Sequence, residues 1–256
     1  MSGAGRPDLA VALGGDHVAT VEIRRGPNNF FDLGLIGHLA DVLDDLADGD
    51  CRAVVLCSEG KHFCAGANFG GPRESDPGGR HLYDEAVRLF EQPLPIVAAV
   101  QGAAIGGGLG LAMAADFRVA VPEARFAANF AALGFHHGFA LTVTLPAAVG
   151  SQRALDLLYT GRRIGGEEAV RIGLCDRLVA LDEVRSAAHA YAAEIAASAP
   201  LAIRSIRQTM RGPLAAEVRS ALQHEKSEQA RLMATADFRE GVAAVSQRRR
   251  AEFTGR

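Results

Sequence analysis

The stretch Ile96-Val97-Ala98-Ala99-Val100-Gln101-Gly102-Ala103-Ala104-Ile105-Gly106-Gly107-Gly108-Leu109-Gly110 decides how this chain is to be read. Its first five residues are apolar and compact, the pattern of a buried strand. A glycine run follows and opens an apolar helical stretch, Leu109 to Ala115. Glycine lets a backbone come close to a ligand. A helix start adds unpaired N–H donors and a partial positive charge. Upstream, His62-Phe63-Cys64-Ala65-Gly66-Ala67-Asn68 follows the strand-like Ala53–Cys57 in the same way. Two such loops on neighbouring parallel strands can aim two backbone N–H groups at one oxygen, which is how an oxyanion is stabilised.

Outward from these loops, strands and helices alternate. Val18 to Ile23 reads as a strand, Leu33 to Leu46 as an amphipathic helix, Leu82 to Phe90 as helix, and Phe117 to Ala120 and Ala124 to Phe126 as strands. That alternation predicts a parallel sheet with crossover helices. Gly60 to Gly79 reads as a long loop. After Gly138 the chain turns helical: Ser151, as a cap, to Tyr159, then Glu167 to Ile172, Leu181 to Ser198, Pro200 to Met210 and Pro213 to Met233. The change from α/β to all-α near residue 195 marks the expected boundary.

Composition narrows the function classes. The chain has 256 residues, 48% of them hydrophobic and 22% charged, which fits a globular protein rather than a disordered one. A net charge of −3 gives no field for nucleic acid or an anionic membrane. Leu94 to Ala115 is long enough to span a bilayer, but its central glycines favour a strand, a loop and a buried helix. Cys51, Cys57, Cys64 and Cys175 show no C-x-x-C spacing, and His, Asp and Glu spacing suggests no metal site. Thiols of this kind and the absence of an apolar leader lead us to expect a cytoplasmic protein. The glycine run is not G-x-G-x-x-G and no G-K-[ST] follows, so neither a dinucleotide fold nor a P-loop is expected.

The run Phe63-Cys64-Ala65-Gly66-Ala67-Asn68, followed by Pro95 through Asp116, resembles the crotonase superfamily, the enoyl-CoA hydratase/isomerase family. The resemblance continues through Ala124-Arg125-Phe126, Leu133-Gly134, Gly150 to Ala154, Thr160 to Leu174 and Arg248 to Phe253, and so covers nearly the whole chain. It implies an α/β fold with a crotonase-like β–β–α spiral core over 1–195 and a C-terminal α-helical oligomerisation region over 196–256. It also implies an acyl-CoA thioester substrate, so coenzyme A enters as part of the substrate and no cofactor is bound permanently. A homotrimer or a dimer of trimers is expected. By the same resemblance, the Ala67 and Gly107 N–H groups form the oxyanion hole. Cys64, Ala65, Gly66, Asn68, Gly106, Gly110, Phe130 and Gly138 surround the substrate, and Arg24 and Arg248 reach the CoA phosphates.

The chain also departs from that family. Its hydratases carry two glutamates, one to take a proton from water and one to give a proton to carbon. Here those positions hold Gly110 and Phe130, and neither can transfer a proton. The two-glutamate hydration mechanism is therefore not expected. Isomerisation, decarboxylation or thioester hydrolysis remain, as does a CoA-ester binding protein without activity. His137 and His136 are the candidate acid/base groups, because imidazole titrates near neutrality. Two adjacent histidines in a strand would point opposite ways, so only one is expected to face the site. His62, His81, Tyr83, Asp84 and Glu85 are weaker candidates.

Overall fold

The computed structural model describes residues 8–67 and 81–256. The candidate Asn68 and most of the Gly60–Gly79 loop lie outside the described residues. Strands β1 (Leu9–Leu13), β2 (Val18–Ile23), β3 (Ala53–Ser58) and β4 (Ile96–Val100) lead into β5 (Ala103–Ile105), β6 (Phe117–Ala120), β7 (Arg125–Ala127), β8 (Ile164–Gly165) and β9 (Arg177–Leu178). One sheet runs β1-β2-β3-β4-β6-β9 and a smaller one runs β5-β7-β8. The large sheet is parallel from β2 onward, with β1 added antiparallel at its edge. β3 and β4 are buried at every residue, which is why they read as unbroken apolar runs rather than alternating ones.

Helices α1 (Leu33–Ala47) and α2 (Leu82–Glu91) pack on each other. The Asp32 carboxylate caps α1 by accepting the Leu35 N–H at 2.8 Å. His81 and Asp84 form a reciprocal capping box on α2. Helix α3 (Gly107–Ala114) is apolar and buried from Gly108 to its end, so it is a core helix. The chain passes from β4 in one sheet to β5 in the other, through α3, and back to β6 and then β7. This winding turns the Leu94–Ala115 stretch into strand, glycine turn and buried helix. No helix among the described residues is long and apolar enough to cross a membrane.

The later helices are α4 (Leu141–Val149), α5 (Ser151–Thr160), α6 (Gly166–Arg171), α7 (Val184–Ala196), α8 (Pro200–Met233) and α9 (Ala236–Ser246). α7 packs on the large sheet, whereas α8 crosses to α2 and α4. α9 returns onto the turn at Ala131–Leu133. Three sequence expectations change. Pro200 to Met233 is one helix of 34 residues rather than two, because Pro213 is accommodated inside it. Ser151 is the first helical residue of α5 and makes no capping bond; Gly150 precedes it with a φ of 81°. The Leu181 segment starts as a short 3₁₀ turn before α7 begins at Val184.

Candidate functional site

The glycine run builds its corner by removing side chains. Gly106 adopts a φ of 57° and its N–H donates to the Ala127 carbonyl at 2.8 Å, which fixes the turn that starts α3. A Cβ at Gly107 would lie 2.4 Å from the Phe31 ring, and one at Gly108 would lie 2.1 Å from the Cys64 carbonyl. Only glycine lets α3 begin this close to the upstream loop. That loop is pinned in turn. Cys64 N–H donates to Ala103 O at 2.9 Å, Ile105 N–H to Cys64 O at 3.1 Å, and Phe31 N–H to Gly66 O at 3.0 Å. Gly66 has a φ of 96°, and a Cβ there would meet Ile105 O at 2.8 Å and Gly107 N at 3.7 Å. The two loops therefore touch. Neither the Ala67 N–H nor the Gly107 N–H donates to a partner among the described residues.

Both loops line one cavity of about 680 Å³. Its walls include Ala65, Gly66, Ala67, Gly106 and Gly107, together with the rings of Phe31, Phe130 and Phe139. Polar groups reach it from His81, Tyr83, Asn129, Gln229 and Ser246. Gln229, Met233, Val242 and Val245 come from α8 and α9, so the chain's own C-terminal helices close one side. Of the sequence candidates, Ala65, Gly66, Ala67, Gly106, Gly107 and Phe130 meet here, and so do the weaker candidates His81 and Tyr83.

The other candidates lie elsewhere. Cys64 is fully buried beneath the loop, and burial pushes its thiol up to about 12, so it stays protonated and is no nucleophile. Gly110 is sealed from the cavity by Phe139: a Cβ there would lie 2.5 Å from the Phe139 Cβ and 2.7 Å from its carbonyl. Gly138 makes room for Tyr83, whose hydroxyl lies 2.0 Å from where a residue-138 Cβ would be. Arg24 pairs with Glu22 at 2.7 Å, and Arg248 lies exposed just beyond α9; neither lines the cavity. His62 accepts the Ala103 N–H at 3.2 Å and serves the strand rather than the cavity. Asp84 caps α2, and Glu85 pairs with Arg88 at 2.6 Å.

The two histidines are corrected by the structure. They sit in a loop rather than a strand, and their rings stack at 4.1 Å, so they do not point opposite ways. Neither lines the cavity. His137 Nε2 donates to Thr142 Oγ1 at 2.9 Å, because the Thr142 hydroxyl already donates to Glu225 Oε1 at 2.6 Å. Burial first, then the charges of His136 and His224, lower the His137 imidazole to about 4, so it is neutral near pH 7.

Glu225 is a residue that sequence reading missed. It is 0% exposed, on α8, and accepts the Ala140 N–H at 2.9 Å and the Thr142 N–H at 3.0 Å besides the hydroxyl. Burial raises its pKa, while these donors pull the other way. It thus caps α4 from a distant helix and holds Phe139 and Ala140 at φ values of 60° and 62°. Those left-handed residues place the Phe139 ring over Gly110. Gln229 was also beyond sequence reading, and it holds the candidate Tyr83: Tyr83 Oη donates to Gln229 Oε1 at 2.8 Å, and Gln229 Nε2 donates to His136 O at 3.0 Å. Burial raises the Tyr83 pKa, so the phenol stays protonated. No group of three His, Cys, Asp or Glu side chains among the described residues could hold a metal ion.

Known proteins place this architecture. The family model described as enoyl-CoA hydratase/isomerase matches residues 14–256. A Bacillus subtilis (strain 168) protein named "Probable enoyl-CoA hydratase" is 32% identical over 256 residues, 96% of this chain and 99% of that one. A Rhodobacter capsulatus protein of the same name is 35% identical over 215 residues, 82% of this chain and 84% of its own. The crystal structure of an enoyl-CoA hydratase/isomerase from Pseudoalteromonas atlantica T6c superposes with a TM-score of 0.89 at 32% identity, covering 96% of this chain and all of that one. With a match over almost its full length in sequence and in fold, the chain belongs to the enoyl-CoA hydratase/isomerase family, the crotonase superfamily.

Proposed function

We propose that the protein is an acyl-CoA enzyme that stabilises a thioester enolate or oxyanion with the Ala67 and Gly107 N–H groups, without a glutamate pair. The observation that carries this reading is the meeting of the two donor loops at one apolar cavity, while Phe139 occupies the space beside Gly110 and Phe130 forms wall. Main-chain donors act on developing charge without any protonation state, and each contributes about 3–4 kcal/mol to such transition states. Hydration needs a base to activate water. At the two positions where the family's hydratases carry that machinery, this chain offers a hydrogen atom and a phenyl ring.

Reactions that form the enolate without a base suit the site better. In decarboxylation of a thioester bearing a β-carboxylate, the C–C bond breaks, its electron pair enters the enolate and carbon dioxide leaves. Apolar walls disfavour the carboxylate of the bound substrate relative to the dispersed charge that follows. The α-carbon then takes a proton from a neutral donor, and water at the cavity mouth or the protonated Tyr83 suffices. In this reading Arg24 and Arg248 supply surface charge for the CoA phosphates, the 1–195 core carries the chemistry, and 196–256 closes the site and joins copies into a trimer or dimer of trimers in the cytoplasm. The test is a panel of acyl-CoA thioesters, β-carboxylates included, incubated with the protein and followed by mass spectrometry. Turnover of a β-carboxyl thioester supports decarboxylation. Binding without any turnover would leave a CoA-ester binding protein, the reading that Gly110 and Phe130 also favour.

A further inference from the structure

A second cavity of about 410 Å³ lies between the end of α2 and the N-terminal half of α8. Phe90 and Glu91 form one side; Arg207, Gln208, Arg211, Ala215 and Arg219 form the other. Its distinguishing feature is the charge balance beneath it. Arg207 is only 8% exposed, and its Nε donates to Asp116 Oδ2 at 3.0 Å, while Nη1 donates to the Gln92 carbonyl. Its Nη2 is buried and has no hydrogen-bond partner among the described residues. Arg211 donates Nη2 to Ala114 O at 3.0 Å, but its buried Nε faces Asp116 Oδ1 at 3.2 Å outside hydrogen-bond geometry. One carboxylate is thus shared by two guanidinium groups, and Asp116 also accepts the Ile96 N–H at 2.8 Å. Burial, together with the charges of Arg207 and Arg118, pulls the Arg211 pKa down despite Asp116.

Arginine does not shed its proton in a protein, so a surplus positive charge at this depth calls for a counter-charge. Two other arginine clusters are already matched: Arg25 has both Asp8 and Asp32, and Arg88 has Asp41, Asp44 and Glu85. We propose that the α2–α8 cavity binds a phosphate-sized oxyanion, free or as a phosphomonoester, between Arg207 Nη2, Arg211 and Arg219. Guanidinium forks suit phosphate oxygens in number and geometry. Arg219 stands at the mouth, paired with Glu91 and 62% exposed at its side chain, so it can turn inward to an entering anion. Gln208 adds an amide at the rim. The site is separate from the acyl cavity but adjoins its wall, since the Phe90 ring lies 6.5 Å from Phe139.

The experiment is calorimetric titration of the full-length protein with inorganic phosphate, methyl phosphate and acetate, each against sodium chloride at equal ionic strength. Arg207 is left intact, because removing it strands Asp116. Arg219→Gln and Arg211→Gln are compared with the parent, and a thermal scan checks that each variant is folded. The expected result is saturable binding of both phosphates and weaker binding of acetate. Loss of one charge-assisted contact is expected to weaken phosphate binding roughly tenfold in either variant. No saturable phosphate binding would overturn the proposal and leave the cavity to water. Equal affinity for acetate, or binding untouched by both substitutions, would overturn it too. So would a change of oligomeric state in Arg219→Gln without a phosphate effect, since a second copy would then cover the cavity.

Discussion

At the scale of the residue, the deciding positions are those where a side chain is absent or out of place. Gly110 is the clearest. The sequence shows that no carboxylate stands there; the structure adds that Phe139 fills the space it would need. Gly110→Ala is therefore expected to destabilise the protein by roughly 1–3 kcal/mol through overpacking, outweighing the gain in helix propensity. A lower denaturant midpoint at unchanged slope is the readout. His137 offers a second test. Its folded-state pKa of about 4 lies below the ordinary 6.5, so the fold favours the neutral ring. Stability from this group is complete above about pH 6.5 and is lost as pH falls toward 4. His137→Gln is expected to flatten that acid limb of stability against pH, while acyl-CoA binding is unchanged. The raised pKa of Glu225 works in the opposite sense, since a carboxyl group whose pKa the fold raises loses its stability contribution as pH rises. A slope that persists unaltered in His137→Gln would assign the acid sensitivity to other groups.

At the scale of the element, the parts readable in the sequence were those set by local pattern. β2, β3, β4 and β6, the capped helix α1 and the glycine turn into α3 all lie close to where the apolar periodicity puts them. What the sequence hid depends on partners far along the chain. β1, β8 and β9 are short or exposed strands whose pairing is decided by the sheet they join. Pro213 suggested a break, yet α8 runs through it because packing against α2 and α4 outweighs one lost backbone bond. His136 and His137 were expected to point opposite ways, as in a strand; they stack instead, and only Glu225, 85 residues downstream of Ala140, explains the shape of their loop. Glu225→Gln keeps the size but replaces one acceptor oxygen with a donor facing backbone N–H groups. A loss of about 1–3 kcal/mol follows from the unsatisfied pair. Faster amide exchange at Ala140 and Thr142 would locate that loss; unchanged protection there would rule out the distant cap.

At the scale of the whole molecule, the two sheets and α3 bring the Ala67 and Gly107 loops together, and α8 and α9 fold back to close the cavity. Sequence motifs gave the loops and the family, because glycine spacing is local. They did not give the polar lining from Asn129 and Gln229, since these come from two separated segments whose convergence with Tyr83 is tertiary. The central claim concerns chemistry: a site with two backbone donors and no paired carboxylates does not hydrate an enoyl thioester. Its most direct test is crotonyl-CoA mixed with the purified protein while the conjugated enoyl absorbance is followed and binding is measured by calorimetry. The expected result is saturable binding with the absorbance unchanged. Loss of that absorbance at rates usual for an enzyme would contradict the claim.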